Sequence, residues 1–343
     1  MVTLIYNVSR PEHGGVGRYS YEVVKRASKS NDVSLMDSSS LCGTTVPQKL
    51  YFTLAERKKF LRKHLDLLNG INHYLQVEMF YRVGKGRNIV TFHNPPPFTI
   101  HNHLAQIKND IMSLSTSLLF FRRYSDAMKY SDVIVANSEF TKEGILETGL
   151  SRGPVVVSFG GVDDSFRIER DFERREDIIG YIGSYAFHKR IGRLLKENEE
   201  AERALKGFRF RLYGQKGTQL RRLRKRYNNR LNVQFCGSVP EDQIVTTYNS
   251  FKAFVFPSRW ETFGLPIIEA TACGTPVFVY GDSAITPEVK KYAIQIDNVS
   301  EIPSLLEGLG PPRLAEMSRR VRDEFGWDRH FEALSAIYKG LQG

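Results

Sequence analysis

Short apolar runs alternate with longer amphipathic segments along this chain of 343 residues. In the first half, the apolar runs at 3–8, 88–93, 133–137 and 155–159 have the length and composition of buried strands. The segment 17–29 carries apolar residues on one side, which is typical of a helix packed on a sheet. This alternation predicts parallel strands joined by covering helices, which is the α/β class.

The same pattern starts again in the second half of the chain. Strand-like runs at 177–183, 208–214, 232–237, 253–257 and 276–280 are separated by helix-like segments. The chain is too long for one ordinary core and suits two domains of roughly 150 residues each. We therefore predict two doubly wound, Rossmann-like domains facing a central cleft, with the ligand bound in that cleft.

The glycine-containing stretch 158–166 follows a predicted strand and marks the boundary between the two domains. This places an N-terminal domain at 1–160 and a C-terminal domain at 161–326. The tail 325–341 has Trp327 and later apolar residues along one stripe, which predicts a final amphipathic helix.

Composition and cysteine content narrow the class of protein. Hydrophobic residues make up 41% and charged residues 25% of the chain, as in a globular protein. No apolar run reaches the roughly 20 residues that cross a bilayer, and the N-terminus reads as a first strand rather than a signal peptide. The cysteines Cys42, Cys236 and Cys273 have neither metal-ligand nor disulfide spacing, which fits a reducing cytoplasm.

The formal net charge of +11 and the pI of about 9.5 favour anionic partners. Nucleic acid, an acidic membrane surface and phosphorylated small molecules all meet that condition. The densest cationic cluster, 221–230, is either a solvated helix end or a patch for a membrane or nucleic acid. The segment 117–130 mixes apolar and basic residues, so it is either a peripheral membrane anchor or a buried interdomain helix.

The loops that follow predicted strands are the places where open parallel sheets bind ligands. The first of them, 12–20, contains Gly14, Gly15 and Gly17 before a helix. Glycines there allow either close approach of the backbone to an anion or a plain tight turn. Their spacing does not match the dinucleotide fingerprint, which argues against an NAD-dependent enzyme.

The second loop, 91–98, places His93 and Asn94 directly after a strand. An imidazole there has either a structural role or a role in binding a hydroxyl or stabilising charge. The third loop, 183–190, ends in Lys189 and Arg190 just before a helix. Two cations beside a helix N-terminus suit a diphosphate, although an ordinary surface pair has the same sequence.

The fourth loop region, 258–274, carries two carboxylates eight residues apart. Glu261 is predicted on a loop, and Glu269 is predicted about one turn into a helix that begins near Pro266 and stops at Gly274. A carboxylate accepts two hydrogen bonds from a vicinal diol and can therefore hold a ribose or a hexose. The alternative is a helix-capping acid and a surface acid.

These residues resemble a known family. The stretch 261–277 resembles the E-x7-E motif of the retaining glycosyltransferases of family 4, which have the GT-B fold. Further resemblances follow in the family's order, at 13–19, 91–94, 131–143, 160–166, 235–244 and 325–338. The resemblance covers nearly the whole chain and is weakest at 36–86 and 99–125, where the acceptor side of such enzymes varies.

The resemblance implies the reaction and its location. A hexosyl group would pass from a nucleoside diphosphate sugar to a hydroxyl of a glycan, lipid or protein-linked acceptor, with retention at the anomeric carbon. No cofactor and no metal are expected, nor is nucleic acid a partner. The protein would be cytoplasmic, with an anionic membrane surface as a candidate partner at the inner face. The helix 327–343 would pack back on the N-terminal domain.

The resemblance also assigns roles to single residues. Glu269 would hold the ribose, and Glu261 would lie by the donor hexose together with backbone groups of Phe263, Gly264 and Leu265. Lys189 would contact the diphosphate. The remaining expected positions are Gly15 by the diphosphate or reacting centre, His93 by the donor sugar and acceptor, and Ser238 and Val239 by the base.

The chain departs from the family pattern at three positions. Ser184 stands where the family often has an arginine, so Arg190 or His188 would have to replace that phosphate cation. Asn94, on the acceptor side, replaces the usual aspartate, and Gly160 replaces an asparagine. Two other readings remain open: a catalytically inactive GT-B-like nucleotide- or sugar-binding protein, and a basic nucleic-acid binder.

Overall fold

The computed structural model describes residues 1–6, 14–37, 56–82, 85–96, 111–215, 217–228 and 232–342. The chain divides into two compact units. Unit 1 comprises Met1–Gly160 and Trp327–Gly343, and unit 2 comprises Gly161–Gly326. Parts of the predicted strand 3–8, of the glycine loop 12–20, of the loop 91–98 and of the cationic cluster 221–230 lie outside the described residues, as does Cys42.

Unit 1 is built on a parallel sheet covered by helices. In the described residues its strands are β1 (Val2–Tyr6), β2 (Val33–Asp37), β3 (Ile71–Tyr74), β4 (Arg87–Phe92), β5 (Val133–Ala136) and β6 (Val155–Val157). They lie in the order β2-β1-β3-β4-β5-β6, and each neighbouring pair is parallel. The helices are α1 (Gly15–Ala27), α2 (Glu56–Lys63), α3 (Ile111–Tyr130), α4 (Glu139–Glu147) and the C-terminal helix, Trp327–Gln342.

The C-terminal helix of unit 1 is fixed by buried apolar and polar contacts. Trp327 and Leu334 are buried on it, as the predicted apolar stripe requires. The hydroxyl of Tyr338 lies 2.6 Å from His73 Nδ1, and His330 Nδ1 lies 2.7 Å from Ser158 Oγ. Buried polar groups must be hydrogen-bonded, so these pairs select one position of the helix on the unit.

Unit 2 repeats the architecture with a second parallel sheet. Its strands are β7 (Glu176–Ile182), β8 (Arg209–Tyr213), β9 (Val233–Gly237), β10 (Phe251–Val255), β11 (Trp260–Glu261), β12 (Val277–Tyr280), β13 (Ala284–Ile285) and β14 (Ile294–Ile296). Its helices are α5 (Ile191–Glu200), α6 (Leu220–Tyr227), α7 (Ile244–Ser250), α8 (Leu265–Ala272), α9 (Pro287–Lys290), α10 (Ile302–Glu307) and α11 (Pro311–Glu324). Short 3-10 turns complete the described structure at Leu65–Asn69, Val77–Met79, Phe172–Arg174, Phe187–Lys189, Glu241–Gln243 and Val299–Glu301.

The strand order of unit 2 creates a switch point in the middle of its sheet. The order is β14-β12-β10-β7-β8-β9, and β11 pairs with β13 in a separate two-stranded sheet. The chain therefore runs outward from β7 to β9, returns to the other side of β7, and runs outward again from β10. In such sheets a crevice opens between the two central strands at their carboxyl ends, and ligands bind there. The loops after β7 and β10 flank that crevice.

The prediction of two doubly wound parallel sheets is confirmed, and the nine predicted strands lie within two residues of observed ones where both are described. The strands β2, β3 and β14 were not predicted from the sequence. In β3, the buried Asn72 and His73 interrupt the apolar pattern by which a central strand is recognised. The strand β14 has three residues, which is too short for any periodicity.

Candidate functional site

The loop after β7 carries the first part of the candidate site. After Gly183 the chain makes a 3-10 turn, Phe187–Lys189, and α5 begins at Ile191. Lys189 therefore lies at the carboxyl end of a central strand and beside the N-terminus of a helix. The helix N-terminus adds positive potential at this edge of the sheet.

Lys189 forms an ion pair with Glu261, which follows the neighbouring strand β10. The Lys189 ammonium donates a hydrogen bond to Glu261 Oε1, and Lys189 Nζ lies 5.2 Å from the centre of the Phe256 ring. The Lys189 and Glu261 side chains are only 15% and 16% exposed. The topological switch thus brings a cation and a carboxylate, distant in sequence, into direct contact at the crevice of unit 2.

The sequence predicts Glu261 on a loop, and this prediction is wrong. Trp260 and Glu261 form the short strand β11, which pairs in parallel with Ala284 and Ile285. The backbone N–H of Arg259 also donates to the carbonyl of His188, at 2.7 Å. Glu261 is therefore held from both sides, because its strand is bonded to β13 and to the loop that carries Lys189.

Arg190 is bound to the protein through its whole guanidinium. Its Nε donates to the carbonyl of Pro257 at 2.8 Å, and Nη1 donates to both carboxylate oxygens of Asp282 at 2.8 Å. Nη2 donates to the carbonyl of Ser258 at 3.2 Å and to Ser283 Oγ at 2.7 Å. The sequence predicts Arg190 as a phosphate cation. In the structure it instead ties together the loops after β7, β10 and β12.

The backbone of Arg190 adopts a conformation that favours glycine. Its φ is 50° and its ψ is 28°, and no other described residue except glycine has a positive φ. A left-handed residue with a side chain costs roughly 1–2 kcal/mol relative to the usual helical region. The five hydrogen bonds of the side chain offset that cost. Burial raises the pKa of Asp282, but bonding to Arg190 and Arg193 outweighs burial and lowers it.

We expect Arg190→Ala to destabilise unit 2 more than Arg190→Gly. Both substitutions remove the guanidinium bonds, which should lower the free energy of unfolding by about 3 kcal/mol in the alanine variant. Glycine should recover about 1 kcal/mol of that loss, since it adopts a positive φ without steric cost. Urea unfolding of both variants measures the difference. Equal stability of the two would contradict a strained backbone at Arg190.

Glu269 lies on α8, as the sequence predicts. The helix starts after Gly264, whose φ is 104°, has Pro266 in its first turn, and ends before Gly274, whose φ is 66°. Glu269 is only 5% exposed. The hydroxyl of Tyr248 donates a hydrogen bond to Glu269 Oε2, at 3.0 Å. Tyr248 is itself fully buried, so it fixes the orientation of the carboxylate.

The other predicted residues of unit 2 follow the same edge of the sheet. Ser184 lies after β7, and its carbonyl accepts a hydrogen bond from the Tyr181 hydroxyl at 2.6 Å. Phe263 is buried and packs edge-on against Phe325, while Gly264 and Leu265 begin α8. Ser238 and Val239 follow β9, which is separated from β7 by one strand. Two strand spacings put those loops about 10 Å apart.

The predicted residues of unit 1 lie at the carboxyl edge of its own sheet. Gly15 is the exposed first residue of α1, and Asn94 is exposed after β4. His93 is partly exposed, and its Nε2 lies 2.8 Å from the carbonyl of Leu75. Burial lowers the pKa of His93 to about 4, although the bond to Leu75 acts in the opposite direction. At neutral pH the imidazole is uncharged.

The charge state of His93 restricts what it can do. A carbonyl oxygen only accepts hydrogen bonds, so Nε2 must carry the hydrogen and donate it to Leu75. In the neutral ring, Nδ1 is then an acceptor. Of the two roles open at the sequence level, binding a hydroxyl therefore fits His93 better than stabilising negative charge.

Sequence reasoning missed the residues that support the site. Tyr248, Asp282 and Ser283 carry no local motif, and each acts on a partner that only the fold brings close. Across the described ranges, no group of three or more His, Cys, Asp or Glu side chains could hold a metal ion. Among the helices that the structure describes, none combines the length and apolar character needed to cross a membrane.

A family model matches most of unit 2. Residues 163–299 match the model described as glycosyl transferases group 1. This range contains Lys189, Glu261, Glu269 and Tyr248. The match therefore includes the ion pair of Lys189 and Glu261 and the pair of Tyr248 and Glu269.

Characterised relatives match shorter stretches of the chain. A D-inositol 3-phosphate glycosyltransferase of Catenulispora acidiphila is 32% identical over 117 residues, which is 29% of this chain and 26% of that protein. The O-antigen chain mannosyltransferase B of Escherichia coli is 42% identical over 57 residues, which is 17% of this chain and 15% of that protein. The matches thus span about a quarter or less of the length of these relatives.

Solved structures with the same fold cover nearly the whole chain. Sucrose-phosphate synthase from Thermosynechococcus elongatus has a TM-score of 0.74 at 15% identity, over 99% of this chain and 98% of that chain. HepE from Anabaena, in complex with UDP-glucose, has a TM-score of 0.71 at 11% identity, over 99% of both chains. WaaG, a glycosyltransferase involved in lipopolysaccharide biosynthesis, has a TM-score of 0.67 at 13% identity. The predicted GT-B fold is confirmed.

Proposed function

We propose that this protein is a retaining glycosyltransferase that moves a hexosyl group from a nucleoside diphosphate sugar to a hydroxyl acceptor. The observation that carries the proposal is the contact between Lys189 and Glu261 at the switch point of unit 2, with the buried carboxylate of Glu269 on the helix that follows. The match to group 1 glycosyl transferases over 163–299 supports it. HepE structures have been solved with UDP-glucose and with UDP, so we propose uridine first among the bases.

The proposed donor lies along the carboxyl edge of the unit 2 sheet. Ser238 and Val239 would border the base, and the oriented carboxylate of Glu269 would accept hydrogen bonds from the two ribose hydroxyls. Lys189 would bind the diphosphate together with the N-terminus of α8 at Gly264 and Leu265. Glu261 would accept hydrogen bonds from hexose hydroxyls. The separation of about 10 Å between the loops after β7 and β9 suits a ligand of that length.

The difficult step is departure of the nucleoside diphosphate. Negative charge grows on the leaving oxygen as the bond to the anomeric carbon breaks, and a fixed ammonium stabilises that charge. We propose Lys189 and backbone N–H groups for this task, with no metal ion. We propose that the acceptor hydroxyl attacks on the same face through an oxocarbenium-like state, and that its proton passes to the departing phosphate oxygen. Retention follows from that geometry.

Unit 1 is proposed to supply the acceptor side. His93 would accept a hydrogen bond from a sugar or acceptor hydroxyl through Nδ1, with Asn94 nearby and Gly15 giving close backbone approach. The acceptor would be a glycan, lipid or protein-linked hydroxyl. We propose a cytoplasmic protein that can meet an anionic membrane surface through its excess of 11 positive charges.

A donor panel tests the function. The protein is incubated with UDP-, GDP- and ADP-sugars and mixed hydroxyl acceptors, and release of the nucleoside diphosphate is measured. We expect release with one donor family, and NMR of the product should show the anomeric configuration of the donor. Inversion would contradict the retaining mechanism. Binding of a donor without any transfer would favour the inactive relative.

A further inference from the structure

Lys189 and Glu261 neutralise each other at the switch point of unit 2. The ammonium of Lys189 donates to Glu261 Oε1, and both side chains are largely withdrawn from water, at 15% and 16% exposure. Neither makes a second ion pair within the part of the chain that the structure describes. The Lys189 ammonium is therefore already paired with an internal anion.

The proposed function gives these two groups other partners. A diphosphate would need the Lys189 ammonium, and a hexose would need the Glu261 carboxylate. Two anions compete for one ammonium, and a carboxylate held by an ammonium has less capacity for hydroxyl donors. Binding of a nucleotide sugar would therefore weaken this pair.

The surrounding contacts hold the backbone of the two loops in place. The N–H of Arg259 joins the Glu261 strand to the carbonyl of His188, at 2.7 Å. Arg190 joins the same two loops through the carbonyls of Pro257 and Ser258. Because both loops are tied together, we expect any exchange of partners to involve the Lys189 and Glu261 side chains rather than the backbone.

We propose that Glu261 acts as an internal substitute for the diphosphate of the donor, which is an inference that rests on the proposed function. In the empty site Glu261 holds Lys189 in the crevice. When a diphosphate binds, Lys189 turns to the phosphate oxygens, and the Glu261 carboxylate becomes available to hexose hydroxyls. The exchange couples the two parts of the donor, so hexose recognition follows diphosphate binding and a free hexose is not retained.

The substitution Glu261→Gln separates this proposal from a simple sugar-binding role. Glutamine keeps the size of the side chain but cannot compete with a phosphate for the Lys189 ammonium. We expect UDP to bind Glu261→Gln about three- to tenfold more tightly than the wild type, since a partly buried ion pair no longer has to be broken. Hexose transfer should fall in the same variant.

Two control variants make the measurement specific. Glu176→Gln removes the same charge from unit 2 at the opposite, amino end of β7, where Glu176 pairs with Arg209. It should leave UDP affinity unchanged. In a Lys189→Met background, Glu261→Gln should also leave it unchanged, because the competition needs the ammonium. Thermal melting of each variant confirms that it is folded.

The titration uses UDP as probe and uridine, which has no phosphate, as its control. Tighter binding of UDP but not uridine to Glu261→Gln is the expected result. Equal or weaker UDP binding in that variant, with the wild type still binding UDP, would overturn the exchange and leave the proposed function standing. An equal gain in Glu176→Gln would also overturn it. Failure of the wild type to bind UDP, GDP or ADP would overturn both proposals.

Discussion

Glu269→Ala is expected to lower kcat/KM for the nucleotide sugar by about 100-fold or more. Hydrogen bonds to a charged group contribute about 1.5–3 kcal/mol each, and the carboxylate is proposed to accept two from the ribose. Glu269 is only 5% exposed and is oriented by Tyr248, so water cannot readily replace it. Initial rates over a range of donor concentrations measure the effect.

Tyr248→Phe provides the matched variant for this prediction. It keeps the carboxylate and the packing of the ring but removes the hydroxyl that donates to Glu269 Oε2. We expect a loss of about fivefold, which corresponds to one ordinary hydrogen bond. A loss in Tyr248→Phe as large as that in Glu269→Ala would indicate a structural collapse instead. Full activity in Glu269→Ala would exclude the proposed ribose contact.

Acidification is expected to destabilise unit 1 strongly. Burial lowers the pKa of His73 and of His330 to about 3, from an ordinary value of 6.5. A folded pKa below the unfolded one means that the unfolded chain binds more protons, so stability is present above pH 6.5 and is lost as the pH falls. Between pH 7 and pH 5, each imidazole should remove about 2 kcal/mol from the free energy of unfolding.

The pKa values of His73 and His330 are low because a protonated imidazole would be buried without a negatively charged partner among the described residues. His73 is bonded to the hydroxyls of Tyr338 and Thr91, and His330 to that of Ser158. Hydroxyl groups do not balance a cation, so a protonated ring at either buried position stays uncompensated. Two such groups together approach the whole stability of a small domain, which is about 5–15 kcal/mol.

The chain contains two tryptophans, and this allows unit 1 to be followed alone. Trp327 is buried in unit 1, so Trp260→Phe leaves its fluorescence as the reporter of that unit. Urea unfolding of this variant at pH 7 and pH 5 gives the two free energies. His73→Gln in the same background should reduce the difference by about 2 kcal/mol, whereas His64→Gln, at a partly exposed position, should not. A pH-independent free energy would contradict the buried neutral histidines.

The sequence was sufficient to predict the structure where a local pattern of residues is compatible with only one local fold. Pro266 and Gly274 frame α8, and the observed helix has the predicted position, with Glu269 one turn inside. The apolar runs 177–183 and 276–280 became β7 and β12 for the same reason, since buried parallel strands are continuously apolar.

The sequence was insufficient where the partner of a residue is distant. Lys189 and Glu261 are 72 residues apart, and their contact depends on the return of the chain to the other side of β7. His73 interrupts the apolar pattern of β3. Its ring is hydrogen-bonded to Tyr338, which lies 265 residues later in the sequence. The position of Arg190 beside Lys189 and before a helix suggests a phosphate ligand. Only the structure shows that its donors are bound to backbone carbonyls, Asp282 and Ser283.

The central claim is that the crevice at the switch point of unit 2 binds a nucleoside diphosphate. Isothermal titration of the wild type and of Lys189→Met with UDP, GDP and ADP tests it most directly. We expect one of the three to bind the wild type with a stoichiometry of one, and Lys189→Met to bind it at least about tenfold more weakly, as loss of a charged hydrogen bond requires. Equal affinity of the two proteins for that diphosphate would contradict the claim, as would the absence of binding by a folded wild type.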